Sequence, residues 1–259
     1  MPYRKDSPLK DKVIRKMVTA ACYVEIALAV GGEWDPGRLE EVIDGKAYYS
    51  FTGRYRRLFR GIVPSDRSAK DLKLQFNGKC DLLKWRDHPF WKLLSTRPLT
   101  HSDIETALST VTSNVKHYVW MQRPPREFPN TNRGVRTTPE RESIDRIAKY
   151  RNFDSLLTLV AYAREGRDSG MLQEYGMSSG ISLKIFPQVV ARNPHLYVSW
   201  KPLAKRLNSL IWNPKNKFFV DLRQNFNLSL LNKEIETLVE TTRNKGSCFP
   251  PKDLMKRFA

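Results

Sequence analysis

Asp66, Asp71 and Lys73, in the stretch PSDRSAKDLK, are two carboxylates and a lysine, the residue types with which a metal-dependent nuclease grips a divalent cation and a phosphate. The stretch lacks the alternating strand pattern that would hold the three together. Asp87-His88, in WRDHPFW, offers a base or a metal ligand beside an acid. Adjacent residues do not easily serve one site, however, and Pro89 makes the pair a helix-entry turn. His101 falls at a helix start, His117 beside an apolar stripe and His195 in a turn, and each reads as structural. Cys22, Cys80 and Cys248 form no Cys-x-x-Cys or Cys/His cluster, so neither a zinc site nor a disulfide framework is expected, and buried thiols in a reducing compartment are the simplest account. No GxxxxGK[ST], GxGxxG, HExxH or GxSxG occurs. The expectation is therefore no catalytic residue, no metal and no cofactor. A divalent-metal-dependent nuclease assembled from distant residues stays open as a lesser alternative.

Cations carry the stronger signal. Lys and Arg number 45 against 27 Asp and Glu, for a net charge of +18. Such an excess repels itself in a compact state, and a polyanion relieves it while releasing condensed counterions. In FTGRYRRLFRG, Arg54, Arg56, Arg57 and Arg60 alternate with aromatic and aliphatic residues. On a helical wheel Phe51, Tyr55, Leu58 and Phe59 share one face. Arg56, Arg57 and Arg60 lie opposite, with Arg54 at the boundary and no acid at i±4. The rings then belong to the core, and the arginines suit phosphate, which positions a protein without reading sequence. Lys10, Lys12, Arg15 and Lys16 load a helix start, where the dipole disfavours cations, and form a second candidate patch. Lys201, Lys205 and Arg206, in WKPLAKRLNSLIW, would face a groove if that segment were the second helix of a helix-turn-helix, although ordinary helix packing explains it as well. Arg123, Arg126, Arg133 and Arg136 sit in RPPREFPNTNRGVRTT, a Pro-rich stretch suited to an arm or a linker.

These residues must be positioned by helices. Ser7-Pro8 and Asp35-Pro36 pair a capping residue with proline at the first helical position, and Gly31-Gly32 and Asp44-Gly45 end the two segments. Thr100 and Asp103 form a capping box ahead of an apolar stripe from Ile104 to Tyr118. Helical pattern resumes after Thr138-Pro139, runs through FDSLLTLVAYARE, spans Pro187 and stops at Asn193-Pro194. It returns in LSLLNKEIETLVETTRNKG, with Gly246 as its C-cap. KAYYSFTG, residues 46–53, is aromatic enough for a short strand. The predicted fold is mainly α with at most that small β element, bilobal about a linker: an N-terminal helical region 1–121, a basic Pro-rich segment 122–138 and a C-terminal helical region 139–259. Their net charges of +7, +3 and +8 spread the positive field over the molecule. The apolar run MVTAACYVEIALAVGG is interrupted by Glu25 and is too short to span a bilayer, which points to a soluble cytoplasmic protein with no membrane partner.

The function expected from these features is a basic nucleic-acid-binding protein, a non-catalytic subunit of a nucleoprotein assembly that contacts the phosphate backbone of DNA or RNA. The alternative is a helical interaction subunit whose basic surface meets an acidic protein partner. No small-molecule ligand is indicated.

Overall fold

In the computed structural model, which describes residues 7–45, 52–120, 136, 139–215 and 224–258, the fold is mainly α. Ser7 caps only a 3₁₀ turn, Pro8–Lys10. Helix α1, Lys12–Ala29, starts instead from Asp11, whose carboxylate accepts the Val13 and Ile14 N–H groups. Helix α2, Pro36–Asp44, runs from the Asp35 cap to Gly45 in the left-handed region, as its punctuation predicts. Then come α3 (Arg56–Phe59), α4 (Asp66–Gln75), α5 (Leu82–Arg86) and α6 (Phe90–Leu93). Helix α7, His101–Ser109, opens on the expected Thr100/Asp103 capping box. It is followed by α8 (Ser113–Val119), α9 (Arg141–Lys149), α10 (Phe153–Ser169) and α11 (Leu172–Arg192), the last continuing through Pro187. Next are α12 (Pro194–Tyr197), α13 (Trp200–Leu207) with a π-helical turn at Asn208–Trp212, α14 (Leu228–Arg243) and α15 (Lys252–Phe258).

Three expectations change. The stripe after Thr100 is two helices, because Asp154 accepts both the Thr112 N–H, at 3.0 Å, and the Thr112 hydroxyl, drawing the chain out of helical form between α7 and α8. The arginine helix shrinks to one turn: Gly53 has φ 66°, and the Glu40 carboxylate accepts the Thr52 and Arg54 N–H groups, so the chain is not helical before Arg56. Residues 46–51 of the expected strand lie outside the described residues, and Thr52 and Gly53 belong to no strand. Among the described residues the β pairing is an isolated antiparallel bridge between Trp120 and Arg136.

The chain divides into two compact units. Unit 1 comprises Met1–Ser95, Val190–Arg206 and Leu228–Ala259. Its axis is α1, buried on nearly every side from Met17 to Val24, with α3, α5, α12 and α15 packed against it. A stretch apolar all round must be central, which explains the apolar run from Met17 to Val24. No described helix is long and apolar enough to cross a membrane.

Unit 2 comprises Thr96–Val189 and Leu207–Asn227 and is built on α10, which packs against α7, α9 and the π turn. Gly166 permits a close backbone approach there. A Cβ at this position would stand 2.7 Å from the Tyr175 nitrogen and 2.9 Å from the Met171 carbonyl oxygen. Arg164 is fully buried and donates to the Arg97 carbonyl at 2.8 Å, with Asp168 at 3.4 Å. Arg123, Arg126 and Arg133, with the rest of 121–135, lie outside the described residues.

Candidate functional site

The turn that carries Arg56, Arg57 and Arg60 backs onto the start of α1. Gly61, with φ 75°, follows α3 and turns the chain against that helix. A Cβ added there would lie 3.7 Å from Arg15 Nε and 3.7 Å from Lys16 Cγ. Arg60 is therefore one residue from a backbone that rests on Arg15 and Lys16. Below, Tyr55 and Leu58 are buried; above, Arg56, Arg57 and Arg60 are exposed, as the wheel predicts. Lys10 and Lys12 are exposed as well, while Arg15 and Lys16 are half-buried. Among the described residues none of Lys10, Lys12, Arg15, Arg56, Arg57 and Arg60 is paired with a carboxylate. Arg57 Nη2 donates to the Thr52 carbonyl at 3.5 Å.

Other candidates are engaged elsewhere. Arg54, its side chain 36% exposed, pairs with Asp44 at 3.2 Å, donates to the Ser68 hydroxyl at 2.7 Å and lies 5.5 Å from the Tyr55 ring. Arg206 bridges to Asp11 at 2.5 Å, so the carboxylate that caps α1 also holds α13. That arrangement fills the helix N-terminus with a protein carboxylate, which leaves side chains, not backbone N–H groups, to meet any anion there. Lys201 and Lys205 are exposed on α13, Lys201 Nζ standing 5.6 Å from the Trp200 ring. Arg136 belongs to unit 2 and pairs with Glu165 at 2.6 Å.

The residues weighed for catalysis do not converge. Asp66 and Asp71 both lie on α4. Asp66 pairs with Arg86 at 2.6 Å, and Lys73 pairs with Asp81 at 2.6 Å. Asp87 holds Arg86 through two hydrogen bonds of 2.8 and 2.7 Å, and His88 Nδ1 accepts the Phe90 N–H at 3.1 Å. His101 stands 3.0 Å from Glu105 and 3.5 Å from Glu165. No group of three or more His, Cys, Asp or Glu among the described residues could hold a metal. All three cysteines are free. Cys22 and Cys80 are buried, burial pushing the Cys80 thiol up to about 12, but Cys248 is exposed, against the expectation of buried thiols.

Sequence reasoning missed one polar pair. His195 Nε2 lies 2.7 Å from Glu25 Oε2, and its ring stacks on Trp85 with centroids 4.2 Å apart. Glu25 Oε1 accepts the Asp81 N–H at 3.1 Å. Burial pushes the Glu25 carboxyl up, but the hydrogen bonds of His195 and the Asp81 N–H outweigh it and hold the group below its ordinary value. The one available signal was a lone carboxylate in an apolar helix. It had no visible partner until the fold brought residue 195 to residue 25.

No known protein family, no curated protein and no solved structure matches this chain.

Proposed function

We propose that the protein binds the phosphate backbone of nucleic acid through the basic surface of unit 1, as a non-catalytic component of a nucleoprotein assembly. One observation carries the reading. Arg15 and Lys16 of α1 lie beside the Arg56–Gly61 turn, and among the described residues Lys10, Lys12, Arg15, Arg56, Arg57 and Arg60 form no ion pair of the kind a merely solvated face normally mixes in. Surface cations left unneutralised at short range raise the local potential and attract a polyanion. The buried Tyr55 and Leu58 support contact by charge more than by stacking on bases.

The test is a titration of DNA and RNA duplexes and single strands over a range of salt concentrations. Binding should weaken steeply as salt rises. The combined Arg56→Gln, Arg57→Gln and Arg60→Gln variant should bind less tightly, with a slope shallower by about 0.9 per lost phosphate contact on duplex DNA. Exposed substitutions of this kind change stability little, by about 0.5 kcal/mol or less. An unchanged slope in a folded variant removes this surface from the proposal. Nuclease-resistant capture of an acidic protein, with no affinity for nucleic acid, favours the interaction-subunit alternative.

A further inference from the structure

Resting on the nucleic-acid reading above, we infer that α15 forms a third side of the same surface and that Arg257 is one of its phosphate-contacting residues. Helix α15 is anchored by Phe258, which is buried with its ring 4.9 Å from Phe59 of α3 and 5.8 Å from Tyr23 of α1. Tyr23 and Phe59 are themselves 4.8 Å apart, so the three rings lock α1, α3 and α15 together. The position before Phe258 is thereby carried to the α3 arginines. Arg257 Cζ lies 5.6 Å from the centre of the Phe59 ring, and Phe59 immediately precedes Arg60.

Sequence gives no reason to choose among the three cations of α15, but their partners do. Lys252 pairs with Glu236 at 2.8 Å and Lys256 with Asp253 at 3.0 Å. Arg257 is exposed and has no ion-pair partner among the described residues. Two acids lie nearby, since Tyr23 Oη donates to the Trp34 carbonyl at 2.7 Å and Glu33 and Asp35 flank Trp34. Each accepts backbone N–H groups through one oxygen, Glu33 from Asp35 and Asp35 from Gly37 and Arg38, and among the described residues neither forms an ion pair with Arg257. A guanidinium resting on a ring is already partly ordered, so it loses little freedom on meeting a phosphate, and its planar fork fits two phosphate oxygens.

Arg257→Gln, Arg257→Lys and Lys256→Gln proteins, assayed on duplex DNA over the same salt range, test this. The expected result is a slope shallower by about 0.9 for Arg257→Gln, and slopes close to the parent for Arg257→Lys and Lys256→Gln. A parental slope for Arg257→Gln overturns the role of Arg257. The nucleic-acid reading survives that result if the triple α3 variant still loses slope. Equal loss in Arg257→Lys and Arg257→Gln, with a lowered melting temperature in both, also overturns it, because α15 would then act through packing and not through charge. Absence of salt-dependent binding in the parent protein removes both readings together.

Discussion

Glu25 shows how one side chain can tie three segments together. It sits in the middle of α1, accepts the Asp81 N–H and meets His195 of α12, whose ring covers Trp85 of α5. Its carboxyl is held below its ordinary value of 4.5, so the ionised form is favoured by folding. The resulting stability is present above that value and is lost as pH falls through the lower folded value. Glu25→Gln should therefore cost about 1–3 kcal/mol near neutral pH, and the difference from the parent should narrow in acid. Denaturant melts at several pH values below neutrality check this, and a constant difference down to pH well under 4.5 contradicts it. The same scale sets apart Arg54, Arg206 and Arg257, three arginines alike in sequence: the first two are neutralised by Asp44 and Asp11, and the third rests on a ring. Composition records each as one positive charge, and only the neighbours decide which of them an anion can reach.

Among the elements, the start of α1 carries most of the consequence. Ser7-Pro8 is a valid cap and holds a 3₁₀ turn, yet Asp11 takes the helix itself, because its carboxylate accepts two N–H groups and also suits the helix dipole. Arg206 then binds the other carboxylate oxygen. Asp11→Ala should destabilise unit 1 by about 1 kcal/mol through the lost cap. It should also remove a negative charge next to Lys10 and Lys12, making the proposed nucleic-acid binding tighter. Opposite changes in melting temperature and affinity are the signature, and a parallel loss of both contradicts the arrangement. Capping signals were legible at α2 and α7, where cap and helix are a few residues apart. The break before α8 was not legible, because Asp154, which makes it, stands 42 residues away.

For the molecule as a whole the dominant quantity is its net charge of +18. Self-repulsion opposes compactness and is screened within about 8–10 Å at ordinary ionic strength. Added monovalent salt should therefore raise the melting temperature of the free protein while weakening the proposed binding to nucleic acid. The triple α3 variant should gain less from salt than the parent, and calorimetry on both proteins checks this. By itself the sequence determined the mainly α fold, the local caps that bound α2 and open α7, and the surplus of cations. Those depend on hydrogen bonds between near neighbours and on simple composition. Tertiary structure decided which cations share a surface. Gly61 backs onto Arg15 and Lys16, the Tyr23, Phe59 and Phe258 rings bring Arg257 to α3, and Asp44 and Asp11 take Arg54 and Arg206. Electrostatic attraction depends on distance in space, and packing of the apolar faces sets that distance between residues as far apart in sequence as 15 and 257.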